Sequence, residues 1–540
     1  MIHTNHYDVI IIGSGAGGGT LAFALADSGK RILILERGTW LPREKENWDA
    51  LEVFVKERYH TTELWHDRNG KPFRPGTNYW VGGNTKLYGA VLLRFREADF
   101  GPVQHRDGVS PEWPLSYADF APYYDRAERL YGVHGLRGSD PTEPPAGGEF
   151  PFPAVRHEPR LQEVFDGLSK QGLHPFPLPV GVRLDEDDRH ASECIKCDTF
   201  DGFPCLTNGK YDADTTCVRP ALQHPNVSIM TEAFVSRLRT DPTGRQVTAV
   251  DVVHPSGPMQ LSADIIVVSC GAINSAALLL HSADEKHLNG LANSSDQVGR
   301  NYMSHNNSAI LSVSRKPNPS KFTKTIGLND FYFDSGDAAY PYPLGHIQTL
   351  GKSLPAQLEG DAPSLMLPGV GMTLEYMAHH SIDWWITTED LPRTDNRVEL
   401  TRSGEIMLSY TPNNTESHHR LLGKLKNAME HVEGGVTHFL PQAVYLSKQI
   451  PLAGVAHQNG TVRFGPDPRT SALDVNCKAH DLDNLYVVDA SFFPSSTSCN
   501  PSLTVIANAL RVADHLRERL GAASTPAVAG AQPVLSPAGP

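Results

Sequence analysis

Three glycines near the start of the chain have the spacing of a phosphate-binding turn. They are Gly13, Gly15 and Gly18. In such a turn the first glycine permits the tight bend, the second lets backbone approach a pyrophosphate, and the third lets helix and strand pack closely. Glu36 follows 23 positions after Gly13, where a carboxylate can accept hydrogen bonds from ribose hydroxyls. These residues predict a site for a dinucleotide with an unphosphorylated ribose, FAD or NAD rather than NADP. The alternative is a glycine-rich turn without a ligand.

A strand, a helix and a second strand must position that turn. Residues 7–12 form an apolar, β-branched run typical of a strand buried in a parallel sheet. Small and apolar residues at helical spacing follow over 20–26, and 30–35 is a second buried strand that Glu36 closes. This order is the one that a dinucleotide-binding turn requires, so it favours a ligand.

Two later strands favour FAD over NAD. Residues 261–272 form a buried strand that ends at Gly271, and 484–489 form another that ends at Asp489. Ligands of open α/β sheets lie at the carboxyl ends of the strands. A cofactor contacted by both the beginning and the end of the chain must be extended, which suits FAD with Asp489 near its ribityl chain. The alternative for Asp489 is a helix cap or a loop acid.

The chain has seven cysteines, an odd and sparse number that argues against a disulfide framework. Cys194, Cys197, Cys205 and Cys217 lie within 24 residues and could bind zinc or an iron–sulfur cluster. However, their spacing is not that of a zinc ribbon, and Cys217 has the surroundings of a strand or of packing. We predict no metal, with Cys194, Cys197 and Cys205 as the candidates if one binds. A disulfide and reduced structural thiols are the alternatives.

Composition excludes several classes of protein. Hydrophobic residues make up 40% and charged residues 20% of the 540 residues, as in ordinary globular proteins. The net charge of −13 disfavours nucleic acid as a partner. No apolar run approaches the roughly 18 residues of a membrane span, and 9–12 lacks the flanks of a signal peptide. We therefore expect a cytoplasmic protein without a membrane span.

Several passages resemble the glucose-methanol-choline (GMC) family of flavin oxidoreductases, above all its choline-dehydrogenase-like and pyranose-oxidase-like bacterial members. Residues 80–89, WVGGNTKLYG, resemble the family's second glycine turn along the flavin. Residues 457–465, HQNGTVRFG, resemble its catalytic histidine segment, and 489–494 followed by 500–504 resemble its closing motif. The resemblance runs from the first glycine turn to about residue 520.

The resemblance implies a catalytic pair, His457 and Asn500, which are 43 positions apart. It also extends the set of cofactor contacts. The predicted cofactor-binding residues are Gly13, Gly15, Gly18, Glu36, Gly82, Gly83, Asn84, Val235, Gly271, Asp489 and Pro501. Some pyranose oxidases attach their flavin covalently through a histidine in the second glycine turn. Since residues 84–88 contain no histidine, we expect non-covalent FAD.

The two catalytic candidates suit the oxidation of an alcohol by hydride transfer to flavin N5. An alkoxide expels hydride more readily than an alcohol, so a base must remove the hydroxyl proton. An imidazole, with an ordinary pKa of about 6.5, contributes typically ~10²–10⁴-fold as such a base. Asn500 can hold the substrate oxygen with its donor and acceptor. The alternatives are a structural histidine at 457 and, for Asn500, an N-cap followed by Pro501 at the first helical position.

We predict an α/β fold, with a Rossmann-type FAD-binding domain and an interleaved α+β substrate domain on a mostly antiparallel sheet. The FAD-binding domain comprises 1–100, 215–310 and 455–520, and the substrate domain 101–214 and 311–454. Ser116 and Asp119 form a capping box at a helix start. Trp384 and Trp385 lie on the substrate side and either stack on a sugar ring or belong to the core. The tail, 521–540, is predicted to be disordered.

The predicted function is oxidation of a CH–OH group of a sugar, polyol or alcohol, with oxygen, a quinone or a carrier protein as the electron acceptor. Two alternatives remain. One is a lyase of the same family with structural FAD. The other is a disulfide reductase that uses FAD, NAD(P)H and the pair Cys194 and Cys197, although a second glycine motif for its nicotinamide nucleotide is missing from the sequence.

Overall fold

Two large sheets and the helices packed on them position the predicted site. The computed structural model describes residues 6–361, 370–433, 447–449 and 457–522. The helices are α1 Ala16–Leu25, α2 Tyr117–Leu130, α3 Pro159–Ser169, α4 Arg219–Ala221, α5 Ala272–His281, α6 Pro355–Asp361, α7 Val370–His380, α8 Thr415–Val432 and α9 Ser502–Arg519. The strands are β1 His6–Ile12, β2 Ile32–Leu35, β3 Trp65–Asp67, β4 Pro72–Phe73, β5 Val103–His105, β6 Gly108–Ser110, β7 Val133–Gly135, β8 Phe152–Pro153, β9 Pro175–Pro177, β10 Val180–Gly181, β11 Val227–Met230, β12 Phe234–Thr240, β13 Val247–His254, β14 Gly257–Val268, β15 Asn306–Val313, β16 Ile326–Leu328, β17 His346–Thr349, β18 Ser381–Thr388, β19 Arg397–Leu400, β20 Ile406–Ser409, β21 Ser447–Gln449 and β22 Leu485–Val487.

The first sheet is parallel around β1. Strands β11, β2, β1, β14 and β22 are neighbours in that order, and every pair among them is parallel. Residues 9–12 of β1 are buried, as expected for a strand in the middle of a sheet covered on both faces. The predicted strand at 261–272 is the second half of the longer β14, whose first half pairs with β13 in an antiparallel meander. The Rossmann-type α/β fold is thus confirmed.

The second sheet is antiparallel and brings distant parts of the chain together. Its order is β21, β15, β18, β17, β16 and β9, and each neighbouring pair is antiparallel. Helices α3 and α8 pack together beside it, and Trp384 of β18 lies fully buried in the same apolar cluster as residues of both helices. This sheet confirms the predicted antiparallel sheet of an α+β substrate domain.

A four-stranded sheet links the two halves of the chain. In it β20 pairs with β3 and β19 pairs with β20, so 65–73 lie beside 397–409. The predicted domain boundaries put these two segments in different domains and remain a prediction. Within the described part of the chain, no helix is long and apolar enough to cross a membrane.

Three helices lie at or near the positions that the sequence patterns predict. Helix α1 begins at Ala16, directly after the glycine turn and earlier than the predicted 20–26. Helix α2 has the predicted capping box, in which Ser116 and Asp119 bind each other's backbone N–H. Helix α9 begins two residues after Asn500, near the helix start that the Asn-Pro pair indicates, and buries its apolar residues. The predicted disordered tail, except its first two residues, lies outside the described residues.

Candidate active site

The glycines of the first turn are required by close backbone contacts. Gly13 has a φ of +101°, and a β-carbon there would lie 2.2 Å from the Ser269 carbonyl oxygen. A β-carbon at Gly18 would lie 2.1 Å from the Gly13 carbonyl oxygen, and one at Gly17 would lie 1.9 Å from that of Val488. Real β-carbons do not approach so closely, so the start of α1 can cross the ends of β14 and β22 only with glycine here.

The two glycine turns touch each other through their backbones. A β-carbon at Gly83 would lie 3.1 Å from the Gly15 α-carbon. The Gly82 N–H donates to the Ser14 Oγ at 3.1 Å. The structure therefore unites two segments that are almost 70 residues apart. Ser14 was missed by the sequence analysis, because nothing in a serine within a glycine run indicates a bond to a distant turn.

Glu36 is buried and binds the first turn. Its Oε2 accepts hydrogen bonds from the Ser14 N–H at 3.1 Å and the Ser14 Oγ–H at 2.5 Å. Its Oε1 accepts one from the Gly38 N–H at 2.9 Å. Burial raises the pKa of this carboxyl, against the opposing effect of these bonds. A carboxylate offers about four acceptor positions, so one is left over, and the bond to a ribose hydroxyl remains a prediction.

The helices α1 and α9 pack together, and both begin without a side-chain cap. Neither has an acidic residue in its first turn. The unpaired N–H groups at such a helix start attract an anion. The alternative that Asn500 is the N-cap of α9 is wrong. The N-cap position belongs to Pro501, and the helix begins at Ser502.

Asp489 has the capping role that the sequence analysis left open. Its Oδ1 accepts from the N–H of Ser491, in the short helix over 490–492. Its Oδ2 accepts from the Gly271 N–H at 3.0 Å and the Ser275 Oγ–H at 2.5 Å. Burial raises the pKa of this carboxyl. Asp489 thus holds the start of α5 against the C-terminal segment, and its predicted contact with the ribityl chain remains a prediction.

The other predicted cofactor residues surround the same edge of the sheet. Gly271 is exposed with a φ of +82°, and a β-carbon there would meet nothing within 4 Å. Val235 is buried in β12, whose preceding residue Ala233 donates its N–H to the Glu36 carbonyl. Asn84 uses its side chain within its own turn, accepting from the Asn78 N–H and donating to the Gly76 carbonyl. Of these three residues, Gly271 is the one that borders open space.

His457 lies beside the antiparallel sheet. Its Nδ1 is 3.1 Å from Nδ1 of His305, which precedes β15. Its ring centroid is 6.2 Å from that of Trp385 in β18. Its Nε2 has no hydrogen-bond partner among the described residues. His305 was missed by the sequence analysis, because 24 histidines occur in the chain and no motif singles this one out.

The surroundings of His457 keep it neutral. Burial holds the pKa of its imidazole well below the ordinary value, and the nearby His305, Lys324 and His346 act in the same direction. Lys324 forms an ion pair with Asp201, with Nζ at 2.8 and 2.9 Å from the two carboxylate oxygens. At neutral pH the imidazole is therefore in the form that can accept a proton.

Asn500 directly follows Cys499, whose side chain contacts two buried neighbours. The Sγ of its neighbour Cys499 lies 3.1 Å from Nη1 of Arg96 and 3.4 Å from the hydroxyl of Tyr332. The Asn500 side chain is half-buried and makes no hydrogen bond within the described chain. No direct bond joins Asn500 to His457 there, but their segments run together, since the backbone N–H of Gly460 donates to the Ala490 carbonyl.

The face of the antiparallel sheet near His457 is polar. Trp385 is directly opposite Gln348 in the register, and Thr387 is opposite His346. His346 and Gln348 are buried and hydrogen-bonded to each other at 3.0 Å. The Trp385 Nε1–H is buried without a partner among the described residues. Trp384 therefore belongs to the core, while Trp385 points to the opposite face and lies near His457.

The cysteine cluster offers neither a redox pair nor a metal site within the described chain. All seven cysteines are free thiols, and no group of three or more histidine, cysteine or acidic side chains there could hold a metal ion. Burial raises the pKa of Cys194 to about 12 and also raises that of Cys197. A reactive dithiol needs a lowered pKa, so the disulfide-reductase alternative has no support. Cys217 lies in a helical turn over 214–218, in packing and not in a strand.

The fold and the two facing glycine turns are typical of proteins that bind a dinucleotide. Two family models described as GMC oxidoreductase match this chain, one over residues 7–307 and the other over 392–509. The first alone spans more than half of the chain, so the protein belongs to the GMC oxidoreductase family. It is an FAD-dependent oxidoreductase of the class that acts on CH–OH donors.

Curated relatives match nearly the whole chain. The 6‴-hydroxyparomomycin C oxidase of Streptomyces lividus is 29% identical, over 96% of this chain and 92% of the relative. The paromamine 6′-oxidase of Streptomyces fradiae is also 29% identical, over 94% and 90%. The fructose dehydrogenase large subunit of Gluconobacter japonicus is 25% identical, over 94% and 97%.

Solved structures share the fold. A pyridoxine 4-oxidase from Mesorbium loti has a TM-score of 0.67 and 19% identity, and the match covers 95% of this chain and 99% of that one. A formate oxidase has a TM-score of 0.64 and 15% identity, over 96% and 99%. The residues present here fit FAD, because uncapped helix starts, Glu36 and the open space at Gly271 lie along one edge of the sheet.

Proposed function

We propose that this enzyme oxidises a CH–OH group of a sugar, polyol or alcohol, with His457 as the base and Asn500 as the group that orients the substrate oxygen. The observation that supports this most directly is the free Nε2 of a neutral imidazole. It lies beside the polar face of the antiparallel sheet, and its neighbour Gln458 accepts a hydrogen bond from Thr77, just before the second glycine turn, at 3.4 Å. A proton acceptor at this place suits a substrate hydroxyl.

His457 would take the hydroxyl proton on Nε2, while the Asn500 amide holds the same oxygen through a donor or an acceptor. FAD, when bound, supplies N5 as the acceptor for the hydride that leaves the substrate carbon. Helix α9 begins two residues after Asn500, and the unpaired N–H groups at its start favour negative charge by about 0.3–1 kcal/mol.

The polar sheet face supports a substrate that carries more than one hydroxyl. The buried Trp385 Nε1–H lacks a partner, and a buried donor without one costs roughly 1–3 kcal/mol. A substrate hydroxyl could accept from it. Two of the relatives are named for the oxidation of paromomycin-type and paromamine substrates, and another for fructose. These names agree with a polyhydroxylated substrate.

Anaerobic reduction with a panel of sugars, polyols and simple alcohols tests the proposal. Bleaching of the flavin absorbance by one of them is expected, and a lyase with structural FAD would show none. His457→Ala should keep its FAD and slow the bleaching by ~10²–10⁴-fold. His254→Ala, at the end of β13, is the matched control and should bleach at the rate of the unaltered enzyme. An unimpaired rate in FAD-loaded His457→Ala would overturn the assignment of the base.

The binding mode of FAD and its reoxidation are proposals with separate tests. Residues 84–88 offer no histidine for attachment, so acid precipitation should leave the flavin in the supernatant. Yellow protein in the pellet would contradict non-covalent FAD. Oxygen consumption with an active substrate separates an oxidase from a dehydrogenase that uses a quinone or a carrier protein. The cytoplasmic location remains a prediction from the composition.

A further inference from the structure

His305 uses both of its ring nitrogens in hydrogen bonds and is 2% exposed. Its Nε2 lies 2.9 Å from the carbonyl oxygen of Ser496, and its Nδ1 lies 3.1 Å from Nδ1 of His457. The role of the first partner is fixed. A carbonyl oxygen can only accept, so Nε2 of His305 must carry a proton.

The proton on His305 determines the proton on His457. Burial lowers the pKa of His305, so its ring is neutral and its Nδ1 has a lone pair that accepts. The bond between the two Nδ1 atoms then requires that His457 donate its Nδ1–H. A neutral His457 that carries its proton on Nδ1 has an unprotonated Nε2, the atom without a partner among the described residues.

We propose that His305 is a positioning residue that holds His457 in the tautomer whose Nε2 can accept the substrate proton. The proposal rests on the function proposed above. When Nε2 takes the proton from the substrate hydroxyl, His457 becomes an imidazolium and keeps its Nδ1–H bond to His305. No other proton moves.

The loop of His305 is held in place by one buried carboxylate. His305 has a φ of +66°, which is uncommon for a residue other than glycine. Asp390 accepts from the N–H of Ser304 and from that of His305, the latter at 2.9 Å, and from the hydroxyl of Tyr410 at 3.0 Å. The hydroxyl of Ser496 also donates to Asp390. The same carboxylate therefore anchors both His305 and the residue whose carbonyl sets its proton.

The charged and titratable groups around the pair are few. His457 faces His305, His346 and Lys324, and His305 faces Asp390 and Glu389. Lys324 is paired with Asp201, and Glu389 is paired with His105 at 3.1 Å. None of these groups makes a hydrogen bond to Nε2 of His457 in the described chain, so the tautomer depends on His305.

Two substitutions at His305 test its acceptor, Nδ1, and its donor, Nε2, separately. The Asn side chain can place its Oδ1 where His305 has Nδ1, and Asn tolerates a positive φ. The Gln side chain can place its amide nitrogen where His305 has Nε2, but offers nothing at Nδ1. We expect His305→Asn to retain kcat/KM within about 10-fold. His305→Gln should lose ~10²–10⁴-fold, the range of a mispositioned base.

The kinetic pattern distinguishes positioning from a general structural role. A mixed tautomer population lowers kcat and kcat/KM by the same factor and leaves KM unchanged. FAD content and Tm are measured for each variant, and His305→Ala, which also lacks the acceptor, replaces the Gln variant if that one does not load FAD. Equal rates in FAD-loaded Asn and Gln variants, or a loss confined to KM, would overturn the proposal.

The two proposals fail differently. If FAD-loaded His457→Ala reacts normally, His457 is not the base and the proposed function fails. If His457→Ala is impaired but the acceptor-lacking variants at 305 match His305→Asn, only the role of His305 fails.

Discussion

The cofactor edge, around the glycine turn at residues 13–18, and the substrate edge, around His305 and His457, are built in different ways. At the cofactor edge, β-carbons at Gly13 and Gly17 would meet backbone atoms at the ends of neighbouring strands, and one at Gly18 would meet the backbone of Gly13, at distances that admit no side chain. At the substrate edge, two histidines that are 152 residues apart form one hydrogen-bonded pair. The first edge is a property of a short local sequence, whereas the second exists only because the fold pairs two distant segments, through the bridge between Met303 and Asn459.

This difference determines how each edge can be disrupted. A substitution in the glycine turn collides with main chain, which cannot move without shifting a strand. A substitution in the histidine pair changes a proton position and leaves the surrounding sheet in place. The cofactor edge should therefore fail by losing FAD and stability, and the substrate edge by losing rate alone.

The largest effect is expected at Gly17. Its φ is not positive, but an alanine β-carbon would lie 1.9 Å from the Val488 carbonyl oxygen. Overpacking against backbone costs roughly 1–3 kcal/mol or more, so Gly17→Ala should lower Tm and purify with little FAD. Absorbance spectra and thermal melts measure both.

Gly423→Ala is the matched control for that substitution. Gly423 lies inside α8, and a β-carbon there would meet nothing within 4 Å. Alanine in a helix is favoured over glycine by about 1 kcal/mol, so this variant should load FAD and be slightly more stable. An FAD-loaded, stable Gly17→Ala would show that the turn has more freedom than its geometry indicates.

The pH dependence of kcat/KM probes the substrate edge. Because burial lowers the pKa of His457, the imidazole stays neutral below its ordinary pKa of about 6.5. We expect kcat/KM to stay constant as the pH falls through 6.5, and then to drop about tenfold per pH unit below the lowered pKa. If kcat/KM falls to half its maximum near pH 6.5 while FAD stays bound, His457 lies in a solvent-like environment.

The smallest effect is expected for Asn500→Ala. Because Pro501 occupies the N-cap position, removal of the amide should leave Tm almost unchanged. The loss should appear in kcat/KM, at about 10-fold for one hydrogen bond of roughly 1.5 kcal/mol. Loss of a helix cap lowers stability by about 1 kcal/mol. A fall in Tm of that size, without a kinetic effect, would support the capping role instead.

Much of the fold was predictable because its patterns are local. The β-branched run of β1, the glycine turn and the capping box at Ser116 each depend on neighbours within a few residues. The observed start of α9 is one residue later than the sequence indicates. An Asn-Pro pair fits two helix registers, and packing selects between them. The position of Asp489 at the end of a strand was predictable. Its four hydrogen-bond donors were not, because they come from the start of α5 and from the short helix over 490–492.

The sequence by itself determined the dinucleotide turn, the acid at Glu36 and the segments that carry His457 and Asn500, since each is set by residue type and short spacing. Only the tertiary structure decided that His305 pairs with His457, that Ser14 joins both glycine turns, and that Trp384 is core while Trp385 lies near His457. Hydrogen bonds across sheets depend on strand order and register, and those arise from burying apolar faces of segments far apart in the chain.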